Sequence, residues 1–278
     1  MGVSAKVIAD SKFRDTRLIT LEVEMHRFIL PEFNTHRMIS RNFQSSRAVP
    51  VEKMIEQVRN DPAMPVHWGK NQSGMQAEKE LDVHQKFFVQ DEWRRAAFHA
   101  SDIAESMRMA GGAKQIVNRI LEPFMWTKGV VTATERDWNA FFKLRLHKDA
   151  QPEIYALAEK IKEALDNSKP VELKQGWWHT PYYDRGFWTP FHLDEDCTDN
   201  PAELEEAIQI SASCNAQVSY RRLDDSLEKA TKVYDMLNLP VDGVYPEDPP
   251  HFSPTEHIAK ACDTALVMSG NFQCNDFT

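Results

Sequence analysis

The sequence predicts a mixed α/β or α+β domain, on three observations. Residues Leu18 to Met25 alternate strictly, with Ile19, Leu21, Val23 and Met25 on one face and Thr20, Glu22 and Glu24 on the other. That period of two is a strand with one wet face. Residues Gln76 to Ala110 carry Trp93, Ala97, Ala100, Ala104 and Met107 at alternating spacings of four and three, the stripe of a long amphipathic helix. Third, the apolar GVVTAT at residues 129–134 follows Pro123 and suggests another strand. Strands interrupted by long helices belong to these two classes.

The remaining elements follow in chain order. Val51 to Asn60 predicts a short helix. Gly111 and Gly112 close the long helix, since glycine takes up a left-handed cap freely. A helix over Gln115 to Leu121 comes next. Thr134 then sets a hydroxyl at an N-cap with the carboxylate of Asp137 three residues on, the pattern of a capping box, so a helix runs to about His147. Ile154, Leu157, Ile161 and Leu165 mark another, closed by DNSKP. Residues 170–200 are rich in Trp, Pro, His and Tyr without a period, which suggests an ordered irregular segment or an insertion covering a site. Pro201 to Ser213 and Ser226 to Leu237 predict helices, and LPVDGVYPEDPP at 239–250 a loop.

Composition bounds the function. The 278 residues are 42% hydrophobic, enough for one large domain or two small ones. No run of about 18 uncharged apolar residues exists and the start lacks an apolar signal region, so a soluble cytoplasmic protein without membrane contact is expected. The net charge of -9 argues against a stable nucleic-acid partner, because a duplex binder normally shows a basic face. Cys197, Cys214, Cys262 and Cys274 lack CxxC spacing, so neither zinc nor disulfides are expected.

Within this acidic chain, residues 35–50, THRMISRNFQSSRAVP, concentrate hydrogen-bond donors. Arg37, Arg47 and His36 with Ser40, Ser45 and Ser46 form the set that grips phosphate oxygens; a solvated basic loop is the plainer alternative. Arg145 falls on the helix face of Trp138, Phe141 and Phe142. An arginine there must be ligand-bound or paired, since an uncompensated buried charge costs several kcal/mol; a snorkelling side chain, or an ion pair to Glu153 or Asp149, would also satisfy it. Arg119 in NRILEP raises the same question. HFSPTEH at 251–257 superficially resembles a metal pair, but Pro254 breaks the helix that HExxH geometry needs, and no GxSxG elbow supports a hydrolase.

Together these segments resemble the flavin-dependent thymidylate synthases. THRMISRNFQSSR is similar to their signature RHR-x7-S, extended as RHRxxSxNExSxRY, with His36, Arg37, Ser40, Asn42, Ser45 and Arg47 in register. Residues Thr134 to Ala158 resemble the family's later arginine element, matching at Arg136, Phe141, Leu144, Arg145, Ala150, Gln151, Glu153 and Ile154, and NRILEP resembles its ARxVLP. The family opens with ARVSY and HxSPFEH; here the counterparts are AQVSY at 216–220 and HFSPTEH at 251–257. The chain therefore looks circularly permuted, which the usual proximity of domain termini allows, and residues 208–260 should pack beside residues 18–47.

The resemblance implies an α+β fold, a twisted, mostly antiparallel sheet flanked by long helices, thymidylate synthase complementing protein-like and permuted, in a single domain over 1–278 with 170–205 as an insertion. It implies transfer of a one-carbon unit from methylenetetrahydrofolate to C5 of a pyrimidine deoxynucleotide such as dUMP, with FAD as cofactor, NADPH as reductant, and a homotetramer with interfacial sites. By position, Gln44, Ser45, Ser46, Arg47 and Arg119 would bind the nucleotide. Arg145 would hold the pyrimidine, favour its N3 anion and serve as the catalytic group. Thr35, His36, Arg37, Asn42, Phe43, Arg136, Ser219, His251, Ser253 and Glu256 would meet the flavin. Thr35, Phe43 and Ala48 stand where the family has Arg, Glu and Tyr, while Ile116 and Ala140 replace an acid and an Asn. Phage-encoded relatives look similar to this shape of sequence and phages modify pyrimidines. Methylation or hydroxymethylation of another pyrimidine nucleotide, in a host cytoplasm if phage-encoded, and a non-catalytic nucleotide-binding module are therefore the alternatives.

Overall fold

The computed structural model describes residues 2–74, 78–190, 201–219, 223–240 and 244–262, without the side chains of residues 201–203 and 219. Strands β1 (Ser4–Phe13) and β2 (Thr16–His26) form a hairpin whose turn carries Arg14 at a φ of 54°. Helix α1 (Leu30–Phe33), strand β3 (Ser40–Phe43), helix α2 (Val51–Asn60) and helix α3 (Val83–Met109) follow. Helix α4 (Lys114–Val117) continues as a 3-10 stretch over Asn118–Phe124 and leads into β4 (Trp126–Thr134), α5 (Glu135–Arg145) and α6 (Pro152–Asp166). Short strands β5 (Val171–Glu172), β6 (Trp178–His179) and β7 (Phe187–Trp188), helices α7 (Pro201–Ala216) and α8 (Leu227–Asp235), and strand β8 (Ala259–Lys260) complete the order. The main sheet runs β3-β4-β2-β1-β5, antiparallel except where β5 joins β1, and a small sheet runs β7-β6-β8. The α+β class with a mostly antiparallel sheet is as expected.

Local chemistry explains the boundaries. Helix α3 starts at Val83, not Gln76, because the Asp82 carboxylate accepts the Gln85 N–H at 2.9 Å and caps it. The α5 cap forms as expected: the Thr134 hydroxyl accepts the Asp137 N–H at 3.3 Å and donates to its carboxylate at 2.7 Å. The predicted 115–121 helix divides, since Pro123 allows only a 3-10 continuation. Strands β1 and β3 have weak alternation and went unpredicted. Within AQVSY, Ala216 ends α7 and Gln217–Ser219 form a 3-10 turn; the Ser219 side chain and Tyr220 lie outside the described residues.

One sheet face makes the main core. Ile19, Leu21, Val23 and Met25 pack against Trp138 and Phe141 of α5 and Ile154, Leu157 and Ile161 of α6, all essentially inaccessible. Burying each such side chain is worth about 1.5–3 kcal/mol. The opposite face is not wet as the alternation predicted. Thr20 is 0% exposed, because residues 178–188 and the 254–261 segment cover it. A hydrogen-bonded line crosses that buried face: Ser11 Oγ to His179 Nδ1 at 2.8 Å, His179 Nε2 to Thr20 Oγ1 at 2.8 Å, Thr20 to Thr132 at 2.7 Å, and Thr132 to His257 Nδ1 at 2.7 Å. Tyr182 adds a bond to Glu22 at 3.2 Å. Strand alternation says which residues share a face, not whether a later segment covers it.

The contact expected between residues 208–260 and 18–47 is present. The Asn42 side chain donates to the Asn215 carbonyl at 2.6 Å, and Asn215 donates to the Pro254 carbonyl at 3.0 Å. Next to it, Phe43 lies over Gly129, where an added Cβ would come within 2.3 Å of the ring, and meets Phe33 edge-on at 5.4 Å. Gly129→Ala is expected to destabilise the fold by about 1–3 kcal/mol, the usual cost of overpacking, measured as a lower urea midpoint.

Candidate functional site

Arg145 ends α5 on a floor of buried aromatic rings, Trp138, Phe141 and Phe142. Its guanidinium reaches across to the segment after α1. Nε donates to His36 Nε2 at 2.8 Å, Nη1 pairs with the Glu32 carboxylate, and Nη2 lies 3.5 Å from the Thr35 hydroxyl. Phe33, fully buried, anchors the short helix that carries Glu32, and Phe141 packs edge-on against His36 at 4.8 Å. The ion-pair partner is therefore neither Glu153 nor Asp149. Glu153 is buried on α6, accepting the Val66 N–H at 2.9 Å and Gln151 at 3.1 Å, and Asp149 sits beside His147 at 3.5 Å. Sequence proximity suggested them, but the end of α5 faces residues 32–36.

His36 accepts from Arg145, which puts its own proton on Nδ1. Burial, then the positive charges of Arg145 and Arg41, push its pKa down to about 4, so the ring stays neutral at neutral pH.

A second cluster lies past β3. The Ser46 hydroxyl donates to Glu122 at 2.6 Å; Arg119 donates to the same oxygen at 3.3 Å, and Arg27 lies 3.7 Å from it. Arg27 also donates to the Gln44 carbonyl at 2.9 Å, and the Asn118 amide to the carbonyls of Ser46 and Val49 at 2.6 and 2.9 Å. Two guanidinium groups around one carboxylate leave this cluster net positive. Arg37 and Arg47 project outward, exposed, with no side-chain ion pair among the described residues.

Three distant motifs are thus hydrogen-bonded to residues 32–49: the end of α5 through Arg145, NRILEP through Asn118 and Glu122, and the C-terminal segment through Asn215, which in turn holds Pro254. Other expected residues are not brought in by any contact. Arg136 is exposed at the far end of α5 beside Asp137. His251, Ser253 and Glu256 are exposed on the C-terminal segment, and only its last histidine, His257, turns inward. A cavity of about 520 Å³ takes Gln44 alone from the expected set, together with Trp126, Lys128, Lys53, Glu24 and Val218. Sequence reasoning missed Glu32 and Glu122. The three-residue spacing of Arg119 and Glu122 could have flagged the latter; nothing local flags Glu32. Among the described residues no group of three or more His, Cys, Asp and Glu is placed to hold a metal ion.

A UMP/dUMP methylase from Streptomyces cacaoi, solved with 5-bromo-UMP, superposes with a TM-score of 0.47 at 16% identity, over 59% of this chain and 88% of that one. The same methylase with 5-bromo-dUMP gives 0.44 at 21% identity, over 54% of this chain and 66% of that one. A search of curated protein sequences returned no match. The family model for thymidylate synthase complementing protein matches residues 15–171, which span β2 to β5 and include the donor-rich stretch, Arg119 and Arg145. With more than half of its length so matched, the chain belongs to the thymidylate synthase complementing protein family.

Proposed function

We propose that the protein transfers a one-carbon unit to C5 of a pyrimidine deoxynucleotide, with FAD as cofactor, NADPH as reductant and methylenetetrahydrofolate as donor. The observation that supports this reading is the attachment of three separate motifs to residues 32–49: Arg145 reaches residues 32–36 from the core face of the sheet, NRILEP holds Ser46 and Val49, and the C-terminal segment is tied to Asn42 from the opposite face. Ser45, Arg47 and Arg119 bind the nucleotide phosphate. Ser46 has given its hydroxyl to Glu122 and positions the backbone. Arg145 holds the base on its aromatic floor, where limited water strengthens each charge-assisted contact.

The chain's residues suit FAD. Arg37, exposed and unpaired among the described residues, fits a diphosphate. His36, neutral, presents an Nδ1–H donor, while Asn42, whose amide N–H group is engaged by Asn215, keeps its carbonyl. Ser253, His251 and Glu256 stand exposed on the segment that Asn215 holds. Bound flavin supplies the hydride, and the protein supplies position and charge. Phe87, Phe88, Phe98 and Ile103 are exposed along α3. An apolar surface of this kind suits subunit association and supports the homotetramer with interfacial sites. No helix among the described residues is long and apolar enough to cross a membrane, which fits work in the cytoplasm.

The test is to reconstitute the purified protein with FAD and measure tritium release from C5-labelled pyrimidine deoxynucleotides with folate and NADPH. Release supports the reading; a protein that takes up no flavin and releases no tritium overturns it. Phe43, packed over Gly129 where the family has a charge, favours a second reading, nucleotide binding without turnover. Arg47→Ala is expected to raise the nucleotide KM about 10- to 100-fold with little change in kcat, since a charge-assisted hydrogen bond is worth about 1.5–3 kcal/mol. Steady-state kinetics checks this.

A further inference from the structure

Glu32 sits where the family resemblance assigns no role, yet it is paired with Arg145, the residue placed on the pyrimidine. Two physical consequences follow. First, a carboxylate in contact with the guanidinium offsets its charge, and an offset charge supports a base anion poorly. Secondly, the two side chains form a mixed edge. Arg145 is donor-only, and ionised Glu32 is acceptor-only. One Glu32 oxygen takes Arg145 Nη1, and the other has no side-chain partner among the described residues.

A pyrimidine held by Arg145 at N3 must present an acceptor there. Cytosine does so as a neutral ring, and its neighbouring 4-amino group is a donor that an adjacent carboxylate accepts. Uracil carries a proton on N3. With N3 fixed on Arg145 and Glu32 on the C4 side, uracil would have to shed that proton, and its O4 carbonyl would then stand where cytosine offers the 4-amino group, acceptor against the Glu32 acceptor. Burial sharpens the difference. The Arg145 side chain is 16% exposed and that of Glu32 31%, and polar groups left unmatched in a partly dry site cost more than they do in water. A carboxylate accepting from the 4-amino group also pushes electron density through C4 toward C5, which is where the new bond forms.

Resting on the nucleotide-binding reading above, we propose that Glu32 is a specificity-determining residue that selects a 4-aminopyrimidine deoxynucleotide, such as dCMP, over its 4-oxo counterpart.

The experiment is isothermal titration of the full-length, FAD-reconstituted protein with dCMP and with dUMP, repeated on Glu32→Gln, an isosteric change whose amide can donate to a carbonyl. Thermal melts of both proteins check that each is folded. The expected result is binding of dCMP at least tenfold tighter than dUMP by the wild type, and a ratio shifted at least tenfold toward dUMP in Glu32→Gln. A merely structural Glu32 would weaken both nucleotides together and leave their ratio alone. Wild-type preference for dUMP, or a ratio unmoved by the substitution, overturns the assignment of Glu32 while leaving nucleotide binding intact. Binding of neither nucleotide by the wild type overturns the assignment and the nucleotide reading with it.

Discussion

Arg145→Ala is expected to lower turnover about 10²- to 10³-fold or more while the protein still folds. The size follows from what the side chain does. It is a charged donor at the end of the aromatic floor of α5, and removing one such oriented donor from a partly dry site typically costs that much in kcat. Folding survives because the floor itself, Trp138, Phe141 and Phe142, is buried independently of the guanidinium. Glu32 and His36 lose their donor, but both stand at the surface edge of the core, where water replaces it in part. Loss of a favourable cation at the C-terminal end of α5 adds about 0.3–1 kcal/mol. Circular dichroism should therefore show an unchanged spectrum and a melting point lowered by a few degrees, with turnover nearly gone. Kinetics like those of the wild type would mean that Arg145 does not touch the substrate.

The second large effect is acid sensitivity. His179 and His257 lie at the two sides of the hydrogen-bonded line under the C-terminal cover, both fully buried. Burial pushes each pKa down to about 3; the nearby Asp10 opposes this for His179, and His179 reinforces it for His257. The unfolded chain protonates each near 6.5. Below that value the unfolded state holds more protons than the folded state, so stability falls as pH falls. The loss begins near pH 6.5 and continues to about pH 3, below which both states are protonated. At pH 4 each histidine costs on the order of 3 kcal/mol. His36, held near 4, adds to the same trend. Against a typical total of about 5–15 kcal/mol, the chain should unfold in mild acid. Urea midpoints recorded from pH 8 to pH 4 should be level above about pH 7 and then fall steeply. His179→Gln, which keeps a hydrogen-bonding side chain but cannot be protonated, should start lower at pH 8 and show a shallower fall. Equal slopes in the two proteins would show that His179 does not carry the effect.

Much of the architecture was legible because its signals are local. The strict alternation of β2, the stripe of α6 and the Thr134 cap each depend on neighbours within a few residues, and their elements formed close to where they were expected. Helix α2 has the very bounds that its pattern indicated. What escaped depends on distant contacts. Strand β3 lies inside the polar SRNF segment and exists because β4 pairs with it, Ser40 opposite Thr132 and Phe43 opposite Gly129. Thr20 looked solvent-facing because nothing in residues 18–25 announces that His179 and His257 will cover it. Within the site, Arg145 was recognised as needing a partner from its apolar helix face alone. Glu32 was missed because it lies 113 positions away along the chain, and an acidic residue on a four-residue helix carries no pattern. The three motifs were readable one by one, but their meeting at residues 32–49 is a property of the fold.

The most direct measurement of whether these motifs build one site is a crystal structure of the protein grown with FAD and a pyrimidine deoxynucleotide. The expected result places the base on Arg145, the phosphate on Arg47 and Ser45, and the flavin beside His36 and Arg37, within one pocket completed by neighbouring subunits. A nucleotide bound away from Arg145, with Arg47 and Arg37 facing bulk solvent in the assembled protein, would contradict it.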